Sequence, residues 1–202
     1  MDYREANQES YDRYADIFEQ SSKDYLRTHI LGDAAMFIDL LPGKEVLDLG
    51  SGPGRDSAFF REQGLVPLCF DMSPEMLKLC EKKGLATMRG DLENLPFRAN
   101  SFDGVWAYTS LLHMPKTNLP PVLGKIREIL RPSGIFYLGM KEGDFEGFKE
   151  SERYPETKRF FSYYTDEELR EHLSPLFRIV HNSRIVLGDA TFLNYLCEKS
   201  SS

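Results

Sequence analysis

Hydrophobic positions change their period along this chain, and the changes divide it into elements. Tyr11, Tyr14 and Phe18 recur at i, i+3 and i+7, which predicts a helix with one aromatic face. Tyr3 lies too far upstream to be assigned to that face. Ser21 or Ser22 can cap a second helix, Lys23 to Leu41, which Pro42-Gly43 ends. Glu45 to Leu49 is then a short, mostly apolar run stopping at glycines, as a buried parallel strand does. A helix from Arg55 to Glu62 ends at Gly64, and Leu65 to Phe70 is a second strand. Ser73 and Pro74 supply the N-cap and N1 residue of a helix to Lys83, stopped by Gly84.

The alternation continues through strands Ala86 to Arg89 and Phe102 to Ala107, a helix Pro120 to Leu130, a stop at Pro132-Ser133-Gly134, and a strand Ile135 to Met140. Lys141 to Arg159 is charged and lacks clear periodicity. Thr165-Asp166-Glu167-Glu168 is a capping box that opens another helix. Leu176 to His181 and Thr191 to Cys197 read as two strands without room for a helix between them, hence an antiparallel pair. Strands alternating with helices imply an α/β fold, a mostly parallel sheet covered on both faces. One domain is expected: a helical cap at 1–41, a core at 42–140, a candidate lid at 141–164, and a helix with the strand pair at 165–202.

Composition narrows the partners. The 202 residues carry a net charge of −7, so the diffuse positive field of a nonspecific duplex nucleic-acid binder is missing. Cys69, Cys80 and Cys197 are odd in number and lie far apart, which argues against a disulfide framework or a zinc site. Met1 to Ser10 is polar and does not read as a secretory signal, and no apolar run approaches the roughly 20 residues of a membrane span. A cytoplasmic protein is the expectation, with Ser200 to Ser202 as a fraying tail.

The strongest chemical signal is Val46-Leu47-Asp48-Leu49-Gly50-Ser51-Gly52-Pro53-Gly54, a strand running into a glycine turn that opens a helix. Glycines there allow close backbone approach to a ligand. The dinucleotide fingerprint G-x-G-x-x-G would need glycine where Arg55 stands, and the lysine and hydroxyl of a phosphate-binding loop are missing. Asp71 ends the second strand at the same crevice, where an acid can bind ribose hydroxyls; the plainer alternative is a charge favouring the next helix N-terminus. Asp91 ends the third strand, where it can accept from an adenine amino group while Leu92 packs on the ring, or it is a surface-loop aspartate.

These residues, with Phe70-Asp71-Met72-Ser73, Gly90-Asp91-Leu92-Glu93-Asn94-Leu95-Pro96-Phe97 and Ser101-Phe102-Asp103, resemble class I S-adenosylmethionine-dependent methyltransferases, type 11/25 domain. The likeness is to the ubiquinone/menaquinone-biosynthesis-like branch and spans roughly Tyr11 to Cys197. It implies a Rossmann-like seven-stranded sheet of order 3-2-1-4-5-7-6 with strand 7 antiparallel. It also implies that Asp48, Gly50, Ser51, Gly52 and Gly54 flank the methionine part of S-adenosylmethionine. Asp71 and Met72 would lie at the ribose and Asp91 and Leu92 at the adenine. Tyr11 or Tyr14 would stand over the cofactor, core packing being the plainer alternative for each, and Tyr108 is counted among its contacts.

An activated methyl donor leaves the protein mainly the work of alignment and exclusion of water. The acceptor pocket is expected after the fourth strand, at Trp106 to His113. His113 is either a general base or a satisfied structural histidine. Glu142 to Tyr164 is either an aromatic lid, with Tyr163 and Tyr164 facing substrate, or a solvated loop with core anchors. No acid cluster suggests a metal. A small-molecule acceptor is the leading expectation, against tRNA or protein methylation or a non-catalytic subunit that activates a partner.

Overall fold

The computed structural model describes residues 2–200; the last two residues of the serine tail lie outside them. The core begins where the sequence turns apolar. Strands β1 (Glu45–Leu49), β2 (Val66–Asp71), β3 (Ala86–Arg89), β4 (Phe102–Tyr108) and β5 (Leu130–Lys141) are parallel neighbours in the order β3-β2-β1-β4-β5. Every residue of β4 is buried, as befits a central strand. The side-chain period of two sorts the core onto the sheet's two faces. Leu47, Val105, Ala107, Phe136 and Leu138 point to one cluster; Val46, Trp106, Ile135 and Tyr137 point to the other. Trp106 stacks on Tyr137 with ring centroids 3.8 Å apart.

Ten helical residues or fewer usually separate these strands. Helix α1 (Tyr3–Arg13) and α2 (Ala15–Ser22) precede the sheet, followed by α3 (Leu31–Leu40), α4 (Arg55–Glu62), α5 (Pro74–Lys82) and α6 (Leu119–Ile129). Gly54, at φ +76°, is the N-cap of α4, and the Ser73 hydroxyl accepts from the Met76 amide at the start of α5. The aromatic face expected across Tyr11, Tyr14 and Phe18 is broken, because Tyr14 leaves helical geometry (φ −116°, ψ 21°) between α1 and α2. The expected single helix from Lys23 to Leu41 is also divided. A π-helical segment, Leu26–Ile30, buries Leu26 and Ile30 ahead of α3. Neither serine caps it: the Ser21 and Ser22 hydroxyls donate back to the Phe18 carbonyl.

The stretch without periodicity is a hairpin. Strands β6 (Glu146–Glu150) and β7 (Lys158–Ser162) pair antiparallel, apart from the main sheet. Then α7 (Asp166–Leu173) opens with its full capping box: Thr165 accepts from the Glu168 amide, and Glu168 accepts from the Thr165 amide. Strands β8 (Phe177–Leu187) and β9 (Ala190–Lys199) form the antiparallel pair; β9 is longer at both ends than the sequence suggests and β8 at its C-terminal end, and β9 inserts between β8 and β5. With the hairpin set aside, the seven-stranded order β3-β2-β1-β4-β5-β9-β8 is the 3-2-1-4-5-7-6 order.

Candidate active site

A cleft of about 620 Å³ opens over the C-terminal ends of β1, β2 and β4, between the glycine turn, α1 and the hairpin. Its floor is set by backbone geometry. Gly50 and Gly52 take φ of +75° and +51°, and the Gly50 and Ser51 amides both donate to the Phe70 carbonyl. A Cβ on Gly50 would overlap the Cβ of Ser110, so the turn and the loop after β4 sit in direct contact. Beside them the Ser110 hydroxyl is buried without a partner. Behind the turn, buried Asp48 accepts from the Ser57 hydroxyl at 2.7 Å; burial, with Asp56 nearby, raises its pKa.

Asp71 completes this end. One carboxylate oxygen accepts from the Ser73 amide and the other from the Gly52 amide, each at 2.9 Å. Burial pushes its pKa up against those donors. Asp91 accepts from Arg4 Nε at 3.1 Å and from the Glu93 amide, while Arg4 also reaches Glu93 at 2.7 Å. Helix α1 is thereby tied across the end of β3. On another wall, the Tyr25 and Tyr108 hydroxyls lie 2.6 Å apart, and the Arg55 guanidinium stands 5.2 Å from the Tyr25 ring centroid.

A short 3-10 turn, Leu111–His113, brings His113 to the cleft. Its Nδ1 lies 2.8 Å from the Phe160 carbonyl and its Nε2 lies 2.6 Å from the Tyr11 hydroxyl. Burial, then the Arg159 charge, lowers its pKa to about 3, so the ring is neutral at physiological pH. Asn7 locks the same junction, donating to the His113 carbonyl and accepting from the Phe160 amide.

Of the residues singled out from sequence, Tyr11, Asp48, Gly50, Ser51, Gly52, Asp71, Met72, Asp91, Leu92, Tyr108, His113 and Tyr163 all line the cleft. Three do not. Gly54 faces Cys80 and Leu85, where a Cβ would come within 2.8 Å of each. Tyr14 sends its hydroxyl to the Pro155 carbonyl and tilts against Tyr154. Tyr164 is fully buried in the main core, with Lys116 over its ring. Trp106, at the start of the expected acceptor run, is also a core residue and donates to Asp56. Conversely, Tyr3, Arg4, Asn7, Tyr25 and Arg159 line the cleft unannounced. A spacing of four through Tyr3, Asn7 and Tyr11 is the one local signal that could have found the α1 residues.

Comparison with known proteins agrees with this geometry. Residues 46–134 match a family model described as a methyltransferase domain. A malonyl-[acyl-carrier protein] O-methyltransferase of Pectobacterium atrosepticum is 32% identical over 130 residues, 62% of this chain and 46% of that protein. A phthiotriol/phenolphthiotriol dimycocerosates methyltransferase of Mycobacterium leprae is 35% identical over 101 residues, 46% of this chain and 36% of that one. The chain thus spans less than half the length of these two relatives. A solved structure, the 1,6-didemethyltoxoflavin-N1-methyltransferase of Burkholderia thailandensis with bound 1,6-didemethyltoxoflavin and S-adenosylhomocysteine, superposes with a TM-score of 0.68 at 25% identity. That match covers 97% of this chain and 92% of that one. Sheet order, glycine turn and these matches are those of the class I methyltransferase fold. The family match lies within residues 46–134, and these relatives do not single out the ubiquinone/menaquinone-biosynthesis-like branch.

Proposed function

We propose that the chain transfers the methyl group of S-adenosylmethionine to a small organic acceptor held between the glycine turn and the β6–β7 hairpin. The observation that carries this reading is the cleft itself. About 620 Å³, walled by Tyr11, Phe161, Tyr163 and Phe192, suits a cofactor and a small molecule. The bound 1,6-didemethyltoxoflavin of the Burkholderia thailandensis enzyme is a small molecule in keeping with this reading.

The donor set fits the cofactor. Each oxygen of Asp71 has a lone pair left after its one amide bond, which suits the two ribose hydroxyls, with Met72 alongside. Asp91 and Leu92 take the adenine end. Asp48, Gly50, Ser51 and Gly52 flank the methionine part, where the unpartnered Ser110 hydroxyl offers a further hydrogen bond. Tyr11 presents a π face to the sulfonium, and Tyr108 closes the wall with Tyr25. When bound, the sulfonium supplies an already activated methyl group, so the chain's residues align the acceptor and exclude water. His113 holds the Tyr11 hydroxyl in place, since both its nitrogens are engaged and its basicity is low. Tyr163 faces the acceptor.

Calorimetric titration with S-adenosylhomocysteine tests the cofactor half, with NAD as comparison and Asp71→Ala as control. Saturable binding is expected, absent for NAD and weakened at least tenfold by the substitution. A folded protein that binds no S-adenosylhomocysteine overturns the reading. Binding without turnover on any small acceptor would instead favour an activating subunit.

A further inference from the structure

The cleft is electrically divided. Its cofactor end presents Asp48, Asp56, Asp71, Asp91 and Glu93, and the two cations there are neutralised: Arg4 pairs with Glu93 at 2.7 Å and Arg55 with Asp56 at 2.8 Å. The hairpin end differs. Lys141, Lys149, Arg153 and Arg159 line it, and among the described residues none has a carboxylate within 4 Å.

This sorting is not a matter of composition. Residues 141–164 contain more acids than bases, yet the acids are turned elsewhere. Glu142 pairs with Arg184 at 2.6 Å, Glu156 pairs with Arg13 at 3.3 Å, and Glu146 accepts from the Lys116 amide. Glu150 is the one acid of the stretch that reaches the cleft.

Aromatic faces, not carboxylates, hold the four cations. Arg159 lies 4.8 Å from the Tyr154 centroid, 5.1 Å from Phe161, 5.2 Å from Phe18 and 5.5 Å from Tyr11. Lys149 and Lys141 each stand 4.7 Å from the Tyr163 ring, and Arg153 stands 5.7 Å from Tyr154. A π face positions a cation without neutralising it, and it leaves the N–H donors at the edge of a guanidinium free. The one side-chain bond Arg159 makes is a long one, 3.4 Å to the Tyr11 hydroxyl. In a protein of net charge −7, a positive chamber with open donors is built for an anion.

We propose that the acceptor is an organic anion, a carboxylate or phosphate ester on an apolar body, drawn in and oriented by Lys141, Lys149, Arg153 and Arg159. The body packs on the same aromatic rings, and the acidic cofactor end repels the charged group, which fixes which way round the acceptor lies. This inference rests on the cleft being the acceptor site of a methyltransferase.

The test uses the full chain saturated with S-adenosylhomocysteine, titrated with aromatic and aliphatic carboxylates and phosphate monoesters, each beside its neutral amide or alcohol. At least one acid is expected to bind, its neutral partner at least tenfold more weakly. A Lys149→Gln, Arg153→Gln double variant should weaken that acid tenfold while S-adenosylhomocysteine affinity stays within twofold. Neutral partners binding as tightly, no acid binding at about 1 mM, or an unaffected double variant overturns the proposal. A tenfold loss of S-adenosylhomocysteine affinity in the variant also overturns it, by assigning the cations to the cofactor's own carboxylate. Failure of the unsubstituted chain to bind S-adenosylhomocysteine is a separate result and counts against the underlying reading.

Discussion

The Tyr11 hydroxyl stands 2.6 Å from Nε2 of His113, and the partner of the ring's other nitrogen decides which of the two donates. Nδ1 faces the Phe160 carbonyl, which can only accept, so Nδ1 carries the hydrogen and Nε2 accepts from Tyr11. Helix α1, the turn after β4 and strand β7 therefore meet on one neutral imidazole.

That neutrality has a pH signature. The His113 pKa falls from 6.5 to about 3 on folding, so between these values the unfolded chain binds the extra proton. Stability from this group is therefore intact above pH 6.5 and declines as pH falls towards 3. Between pH 7.5 and 5 the loss is about 2 kcal/mol. Asp48 and Asp71, whose pKa values are raised, oppose this trend at lower pH, so the comparison must be with a variant. Urea unfolding at the two pH values should show His113→Asn losing about 2 kcal/mol less than the unsubstituted protein. Equal losses would mean that His113 titrates normally in the folded chain.

Two glycines of one turn should respond differently to alanine. Both have positive φ, which costs an L residue roughly 1–2 kcal/mol. At Gly52 the new methyl meets nothing within 4 Å, so Gly52→Ala should lose only about that much. At Gly50 it collides with Ser110 in addition, and a further loss of about 1–3 kcal/mol is expected from overpacking. Thermal unfolding of the two variants side by side decides this; similar melting temperatures would contradict the tight seam between the turn and the loop after β4.

What could be read from the chain was local chemistry. The glycine turn, the Ser73-Pro74 start and the Thr165–Glu168 box each declare themselves within a few residues, and the structure contains all three. The hairpin escaped because charges occupy both of its strands, exposed in β6 and half-buried in β7, leaving no two-residue alternation. Without it, Tyr163 and Tyr164 looked equivalent, although adjacent residues in extended chain face opposite ways: one reaches the cleft and the other the core. Arg159 was invisible as a cleft residue because its partners Tyr11 and Phe18 are more than 140 positions away in sequence.

Asp103 belongs to the motif that suggested the family, but its place is the far end of β4 from the cleft. Its buried carboxylate accepts from the Glu45 amide at 2.9 Å and from Arg131 at 2.7 Å, latching the start of β1 to β4. Asp103→Ala leaves that amide unpaired and should cost about 2–3 kcal/mol. S-adenosylhomocysteine affinity, measured where the variant is fully folded, should change less than threefold. A larger change would make Asp103 part of the binding machinery.

Asn7 is the clearest test of how the hairpin is held over the cleft. It is buried, donates to the His113 carbonyl at 2.9 Å, and accepts from the Phe160 amide at 2.8 Å. No other side chain of its size supplies a donor and an acceptor in that arrangement. Asn7→Ala leaves both backbone groups unpaired and should cost about 2–3 kcal/mol. Asn7→Asp keeps the acceptor but loses the donor and sets a carboxylate against a carbonyl, so it should be at least as damaging despite its near-identical shape. Amide exchange at Phe160 separates the two effects. Alanine should speed it strongly, whereas aspartate, which still accepts from that amide, should protect it more at equal global stability. If exchange at Phe160 is unchanged in both variants, the hairpin is held by its aromatic contacts with α1 and α2, and Asn7 is incidental to the closure.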